Sequence, residues 1–278
     1  PTALALLEDA ARRAARYLDS LATRSVAPPA AAVARLDALD TSMPATSTDA
    51  AAVLARLDDL VGPATMAMAG PRFFGFVIGG ALPVTVAANW LATAWDQNAA
   101  LATATPGVSR VEAIALAWLK DLFGLPASTQ GAFVTGATMA NFTALAAARH
   151  RVLMQAGWQV EAEGLFGAPP ITVIVGEEAH PTLIKSLGLL GLGRKRVVRV
   201  PVDGQGRMRA DLLPPLDPAT NVCLQAGNVH TGASAPADAI IPPARAAGAW
   251  GHVDGALGLW AAAAPARGPL LRGMGSAD

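Results

Sequence analysis

Cysteine is almost absent from the sequence, and its scarcity excludes two kinds of site. Cys223 is the single cysteine among 278 residues, so the chain cannot form an internal disulfide. A zinc site of the CxxC type is excluded for the same reason, and we predict no metal site. Chains without disulfides are typical of reducing compartments, so we expect a cytoplasmic protein.

The sequence also has no excess of charge of either sign. Lysine and arginine together number 21, aspartate and glutamate also number 21, and the net charge is zero. Nucleic acids and anionic membrane surfaces attract proteins that carry a basic excess. We therefore expect neither a nucleic acid nor a membrane as a partner.

Apolar runs of transmembrane length are missing as well, although 53% of the residues are hydrophobic. Charges and prolines interrupt every candidate stretch. The first residues carry Glu8, Asp9, Arg12 and Arg13 in a helical pattern, which is unlike a signal peptide. The apolar residues are therefore expected to fill the core of a soluble protein.

The N-terminal part, residues 1–69, is predicted to be a helical segment. Apolar residues recur at helical spacing over 3–24, and a second helix is predicted over 50–60. Two helices joined by proline-rich coil cannot bury their own apolar faces, so they must pack on the rest of the chain or on another subunit. The next stretch, 70–83, is rich in glycine and phenylalanine, and it is either a packed connection or the lining of a pocket.

The remainder, residues 70–278, alternates between predicted helices and strands. A helix is predicted over 108–123, with Val111 and Trp118 among the residues of its buried face. Strands are predicted at 171–175, 196–200 and 221–225 and immediately before Asp254, with helical segments between them. Helical crossovers favour a mostly parallel sheet with a site at the strand ends. The fold class predicted is a three-layer α/β/α large domain preceded by N-terminal helices.

Three polar residues follow these strands: His180, Asn228 and Asp254. A carboxylate at the end of a buried strand is costly to ionise unless a cation meets it, which indicates a ligand in the crevice at the strand ends. The alternative is that Asp254 is a turn or cap residue and that His180 is a surface or capping residue.

A tight turn of small residues, Gly136, Ala137 and Thr138, precedes a long alanine-rich helix. It follows residues 131–134, which are predicted to end a strand. Backbone amides at a helix N-terminus bind anions, so the turn suits a phosphate. Thr138 as a simple N-cap remains the alternative.

Four stretches, taken together, resemble the group II pyridoxal-phosphate-dependent amino-acid decarboxylases of fold type I, the aspartate-aminotransferase-like fold. They are GATMAN at 136–141, AHPTLIKS at 179–186, QAGNVHTG at 225–232 and HVDGA at 252–256. The resemblance covers about residues 70–278. It implies a homodimeric lyase of amino-acid metabolism, a carboxy-lyase that uses pyridoxal 5'-phosphate to convert an L-amino acid into its amine and CO2.

The resemblance also implies roles for individual residues. Gly136, Ala137 and Thr138 match the turn that binds the cofactor phosphate. Asn228 stands where many relatives have threonine, near the substituents of the cofactor ring.

The catalytic residues implied are His180 and Asp254. His180 matches the imidazole that stacks on the ring near the substrate carboxylate. Asp254 matches the carboxylate that pairs with the pyridinium nitrogen, and Ala256 matches the small residue against the opposite ring face. Loss of CO2 leaves a carbanion that the ring stabilises while its nitrogen is protonated, and a buried aspartate favours that proton.

One departure concerns the lysine that carries the cofactor in fold type I enzymes. In this family it follows an Ala-Asp-Ser pattern, and Lys120, Lys185 and Lys195 all lie elsewhere. The resemblance therefore implies an N-terminal portion of a longer protein, ending before the Schiff-base lysine. This portion alone is expected to be inactive.

Two alternatives stay open at the level of sequence. The protein could be a fold type I enzyme of another class, such as an aldehyde synthase, aminotransferase or lyase, because the cofactor residues are shared between classes. It could also be a non-catalytic fragment that retains the sheet without a working site.

Overall fold

The computed structural model describes residues 1–39, 42–99 and 101–278. The chain divides into two units, residues 1–97 and 98–278. The boundary between them lies after Gln97, whereas the sequence placed one after residue 69. The division into an N-terminal helical segment and a cofactor-binding domain stays a prediction.

The first unit is helical. Its α-helices are α1 (Ala3–Ser20), α2 (Ala30–Ala34), α3 (Ala50–Leu60) and α4 (Pro83–Trp95), and short 3-10 helices cover Arg35–Ala38 and Gly62–Ala64. Side-chain caps start two of the helices, since Thr2 accepts a hydrogen bond from the Ala5 amide and Asp49 accepts one from the Ala52 amide. Arg13 joins α1 to α3 through an ion pair of 2.8 Å with Asp58.

The stretch 70–83 has irregular backbone up to the start of α4. Phe76 and Val77 have positive φ angles of 57° and 55°. The side chains of Phe74 and Phe76 are 90% and 87% exposed, so the expectation of a packed connection is wrong for these two residues.

The second unit holds a four-stranded sheet with helices around it. The strands are β1 (Thr172–Gly176), β2 (Val198–Val200), β3 (Thr220–Gln225) and β4 (Trp250–Asp254). The α-helices are α5 (Pro106–Phe123), α6 (Ala137–Gln155), α7 (Val160–Glu163), α8 (Pro181–Leu189) and α9 (Ala237–Ala246). Short 3-10 helices cover Ala210–Leu212, Gly258–Ala263, Pro265–Leu271 and Met274–Ser276. In the described part of the chain, no helix has both the length and the apolarity that a membrane crossing needs.

The sheet is parallel, with strand order β2-β1-β3-β4, and apolar helices cover both of its faces. Successive side chains of β1 point to opposite faces. Ile174 lies in a buried cluster with Ile240 of α9, whereas Val175 lies in a second cluster with Leu145 of α6 and Leu187 of α8. The three-layer α/β/α prediction is confirmed. Because the strands are parallel, their C-terminal ends lie along one edge of the sheet, and the candidate site lies at that edge.

Two local expectations are wrong. Residues 131–134 form coil, because a strand needs a hydrogen-bonded neighbour and the described residues supply none there. Helix α5 was expected to bury one face, yet none of its residues is buried, and Val111 and Trp118 are 66% and 73% exposed.

Candidate functional site

The ends of the parallel strands place polar side chains along one edge of the sheet. Strand β1 ends shortly before His180, β3 ends at Gln225, and β4 ends at Asp254. These residues line one cavity at that edge. The crevice predicted at the strand ends is therefore present, and it holds two of the predicted site residues, His180 and Asp254.

Asp254 is a buried carboxylate, with 8% of its surface exposed. Its Oδ2 accepts a hydrogen bond from Asn141 Nδ2 at 3.0 Å, and its Oδ1 accepts one from the backbone amide of Ala256 at 3.2 Å. The salt bridges formed by the described residues do not include it. A buried carboxylate held only by neutral donors is costly, so the site is suited to a cationic group in the cavity.

His180 is the N-cap of α8. Its Nδ1 accepts a hydrogen bond from the Thr182 amide at 3.3 Å and lies 2.8 Å from Thr182 Oγ1. Its own backbone amide donates to Gln225 Oε1 at 3.0 Å. Because Nδ1 acts as an acceptor, the neutral imidazole carries its proton on Nε2. The capping role considered for His180 is confirmed, and the same side chain lines the cavity.

Asn141 connects the two predicted site residues. Besides Asp254, its Nδ2 approaches Thr182 Oγ1 at 3.4 Å, and Thr182 in turn contacts His180. His252, the residue two positions before Asp254 on β4, bonds to Asn141 Oδ1 through Nε2 at 2.9 Å. Burial lowers the pKa of His252 from 6.5 to about 4, although the nearby Asp254 charge opposes the shift.

The sequence-based prediction missed Asn141, Thr182 and His252. Weak signals pointed to two of them, His252 and Asn141. His252 shares the strand face of Asp254 because strand side chains repeat every second residue. Asn141 stands within the first turns of the helix that follows the predicted anion turn.

The predicted anion turn lies at the start of α6. Gly136 is the N-cap, with φ 154° and ψ 175°, and no side chain caps the helix. Thr138 is therefore not the N-cap, and that alternative is wrong. The amides of Ala137 and Thr138 have no partner inside the helix, as in the first turn of any α-helix. Ser186 of α8 donates to the Thr138 carbonyl at 3.0 Å, so this helix start is tied to the helix that begins at His180.

Asn228 is placed differently from the other predicted residues. It is 2% exposed, and its Nδ2 donates to Glu178 Oε2 at 2.7 Å. Its Oδ1 accepts from the amides of His230 and Thr231 at 2.8 and 3.3 Å. These bonds shape the loop after β3, and among the described residues none of them joins Asn228 to His180 or Asp254. Its position near a cofactor ring stays a prediction.

Cys223 also lines the cavity, but its thiol is not a candidate nucleophile. The residue is buried, and burial together with the neighbouring Asp254 charge raises the pKa of the thiol well above its usual range. Since the thiolate is the nucleophilic form, this side chain is inert at neutral pH.

Comparison with known proteins shows which family the chain belongs to. The family model of the pyridoxal-dependent decarboxylase conserved domain matches residues 34–278. Tryptophan decarboxylase 1 of Oryza sativa subsp. japonica is 27% identical over 242 residues, which cover 79% of this chain and 46% of that protein. Acidic amino acid decarboxylase GADL1 of Bos taurus is 26% identical over 216 residues, which cover 75% of this chain and 40% of that protein.

Solved structures agree on the fold. The crystal structure of mouse CSAD in apo form matches with a TM-score of 0.87 and 24% identity, covering 99% of this chain and 59% of that chain. At this identity the likeness concerns the fold alone. The chain spans less than half the length of the two curated relatives named above, 46% and 40%.

Proposed function

Since the chain belongs to the pyridoxal-dependent decarboxylase family, we propose that the complete protein is a lyase that removes the α-carboxylate of an L-amino acid as CO2 and releases the amine. We further propose that pyridoxal 5'-phosphate binds at the cavity on the sheet edge. Relatives of similar identity are named for tryptophan and for acidic amino acids, so the proposed substrate is kept at the level of an L-amino acid.

The observation that carries the proposal is the environment of Asp254. Its carboxylate is buried and oriented by two N–H donors, and the residue lines a cavity that His180 also lines. Such a group favours a proton on a ring nitrogen beside it, because a nearby negative charge stabilises the cationic form. When bound, pyridoxal phosphate supplies a pyridinium ring that withdraws the electron pair left by the departing CO2.

Further contacts are proposed for the start of α6, for His180 and for Ala256. The backbone amides of Gly136, Ala137 and Thr138, at the start of α6, would bind the phosphate as a helix N-terminus binds anions. The imidazole of His180 is fixed by Thr182, so it would present a constant face to the ring and orient the carboxylate that leaves. The Ala256 amide holds Asp254, and its small side chain leaves room for the ring.

The proposal is tested on the complete gene product incubated with pyridoxal phosphate. We expect a visible absorption band from the bound cofactor and CO2 release from at least one member of a panel of L-amino acids. Asp254→Ala is expected to lower kcat by about a hundredfold or more, the scale on which removing a preorganised electrostatic contact acts. Asp121→Ala on α5, an exposed carboxylate, is the matched control and should keep the wild-type rate.

Two other outcomes would replace the proposal. A bound cofactor without CO2 release, but with transamination or aldehyde formation, would favour another fold type I class. The absence of any cofactor band in the folded complete protein would favour a non-catalytic role.

We also propose that the protein is a homodimer located in the cytoplasm. The support for a dimer is a row of exposed apolar residues on each of two helices. On α4 they are Val84, Leu91 and Trp95, and on α5 they are Val111, Trp118 and Leu122. Exposed apolar rows of this kind mark interaction surfaces in soluble proteins. For the location, the support is the scarcity of cysteine.

A further inference from the structure

Asn141 is a buried amide whose two ends face different partners. Its surface is 4% exposed. One end lies 3.0 Å from Asp254 Oδ2 and the other lies 2.9 Å from His252 Nε2. Both partners come from β4, whereas Asn141 comes from the helix whose N-terminus carries the proposed phosphate turn.

The direction of each hydrogen bond in this group follows from the carboxylate. An ionised carboxylate only accepts, so Asn141 must present its NH2 group to Asp254. Its carbonyl oxygen then faces His252, which must donate from Nε2. The reverse orientation of the amide would set two acceptor oxygens against each other in a buried space, at a cost of at least one lost hydrogen bond.

His252 is suited to this donor role because it stays neutral. It is 6% exposed, and burial lowers its pKa to about 4, so at neutral pH it carries one ring proton. Bonded to Asn141 Oδ1, that proton belongs on Nε2. A neutral donor orients the amide without adding a cation that would compete with a ligand for Asp254.

We propose that Asn141 is a positioning residue for Asp254, and that His252 fixes the orientation of Asn141. The inference rests on the proposed function and deepens it. Asn141 stabilises the ionised carboxylate of Asp254, so that a proton shared between Asp254 and the cofactor ring stays on the ring nitrogen. Removing the Asn141 donor destabilises the carboxylate and moves that proton toward Asp254.

The test uses the complete holoenzyme loaded with pyridoxal phosphate that carries 15N in its ring. In the wild type we expect the 15N signal of a protonated pyridinium at neutral pH. In Asn141→Leu the signal should move toward that of a neutral pyridine, and the Kd for the cofactor should rise about tenfold or more, as for the loss of a hydrogen bond to a charged group.

Asn221→Leu on β3 is the matched control. Asn221 is also a buried amide, 1% exposed, and its Oδ1 accepts from Cys223 Sγ rather than contacting Asp254. This variant bears a similar structural cost, so a loss of stability should appear in both variants. Only Asn141→Leu should change the 15N signal.

If Asn141→Leu does not fold, a second pair of variants tests the positioning role of Asn141. His252→Gln retains an N–H that can donate to Asn141 Oδ1, whereas His252→Leu does not. We expect the wild-type 15N signal in His252→Gln and a shifted signal in His252→Leu.

The outcomes separate this inference from the proposed function. Unchanged 15N signals and cofactor Kd values in Asn141→Leu and His252→Leu would overturn the positioning role and leave the proposed function standing. A folded wild-type protein that binds no pyridoxal phosphate would overturn both.

Discussion

At the scale of single residues, His180 and Asp254 each have two roles, one in holding the local backbone and one in lining the cavity. His180 caps α8 through the Thr182 amide, and Asp254 accepts from the Ala256 amide in a tight turn. The sequence offered capping and ligand binding as competing interpretations of these residues. The structure makes them compatible, because the atoms that hold the local backbone also fix the side chain beside the cavity. A local cap is therefore no argument against a role in the site.

Asn141 and His252, which hold Asp254 in place, were harder to predict than Asp254 itself. Asn141 lies 113 positions from Asp254 and 111 from His252. A motif reports residues that are close in sequence, whereas this contact exists only because α6 packs over β4. His252 looks in the sequence like one more residue of a buried strand. Its neutral state follows from burial, which only the packed sheet supplies.

His252 predicts a pH dependence of stability. Its pKa is about 4 in the folded protein against 6.5 ordinarily, so the unfolded chain takes up the proton first as the pH falls. The stabilisation is complete above the unfolded value and is lost as the pH falls from about 6.5 to about 4. The free energy of unfolding should fall by roughly 3 kcal/mol over this range from this group. Denaturant unfolding at a series of pH values measures it.

The variant that isolates this contribution is His252→Gln, which cannot titrate. Its unfolding free energy should depend less on pH than that of the wild type in this range. His230→Gln is the control, because His230 is exposed, and it should retain the wild-type dependence. Equal slopes in wild type and His252→Gln would contradict the assignment.

At the scale of elements, periodicity predicted most of the helices and strands. Helix α3 has the predicted bounds, and the strands β1, β3 and β4 lie where alternation with helices placed them. These segments are recognisable from the sequence alone, since apolar residues recur in each at a spacing or in a run typical of its type. Residues 131–134 are apolar too, but a strand also needs an adjacent strand, and nothing in a local pattern reports whether one is present.

The start of α6 depends on a conformation that only glycine adopts readily. Gly136 has φ 154° and ψ 175°, a region that costs other residues about 1–3 kcal/mol. A Cβ at this position would meet open space, so backbone strain alone sets the cost. We expect Gly136→Ala to lower the free energy of unfolding by that amount and to weaken cofactor binding, because the amides of the first turn shift. Denaturant unfolding and cofactor titration of the complete protein measure the two effects.

Gly107 offers a matched control for that substitution. It lies near the start of α5, where a Cβ would also meet open space, and its φ is not positive. Gly107→Ala should leave the stability unchanged or raise it slightly, because alanine favours a helix. A similar loss in both variants would show that the conformation of Gly136 is not the cause.

At the scale of the whole molecule, the apolar rows on α4 and α5 show that the sequence does not predict which surface covers an apolar helix face. On α5, Val111, Trp118 and Leu122 fall on one helical face, since positions seven and eleven apart nearly superimpose along the axis. The periodicity predicted a buried face here and assigned it to the core, whereas these residues are exposed in the structure. Periodicity reports that a face is to be buried, and it does not report whether the partner surface belongs to the same chain.

The homodimer proposal predicts that a charge placed on this face lowers the mass of the particle in solution. Trp118 is 73% exposed, so Trp118→Glu should leave the fold of the unit intact, as most substitutions at exposed positions do. In a dimer the same substitution would bury an unpaired charge, which costs several kcal/mol and shifts the equilibrium to monomer. Light scattering with size-exclusion chromatography on the complete protein measures the mass, and Asp121→Ala on the same helix is the control. A wild-type monomer, or a dimer that Trp118→Glu and Val111→Glu both leave intact, would contradict an interface on α5.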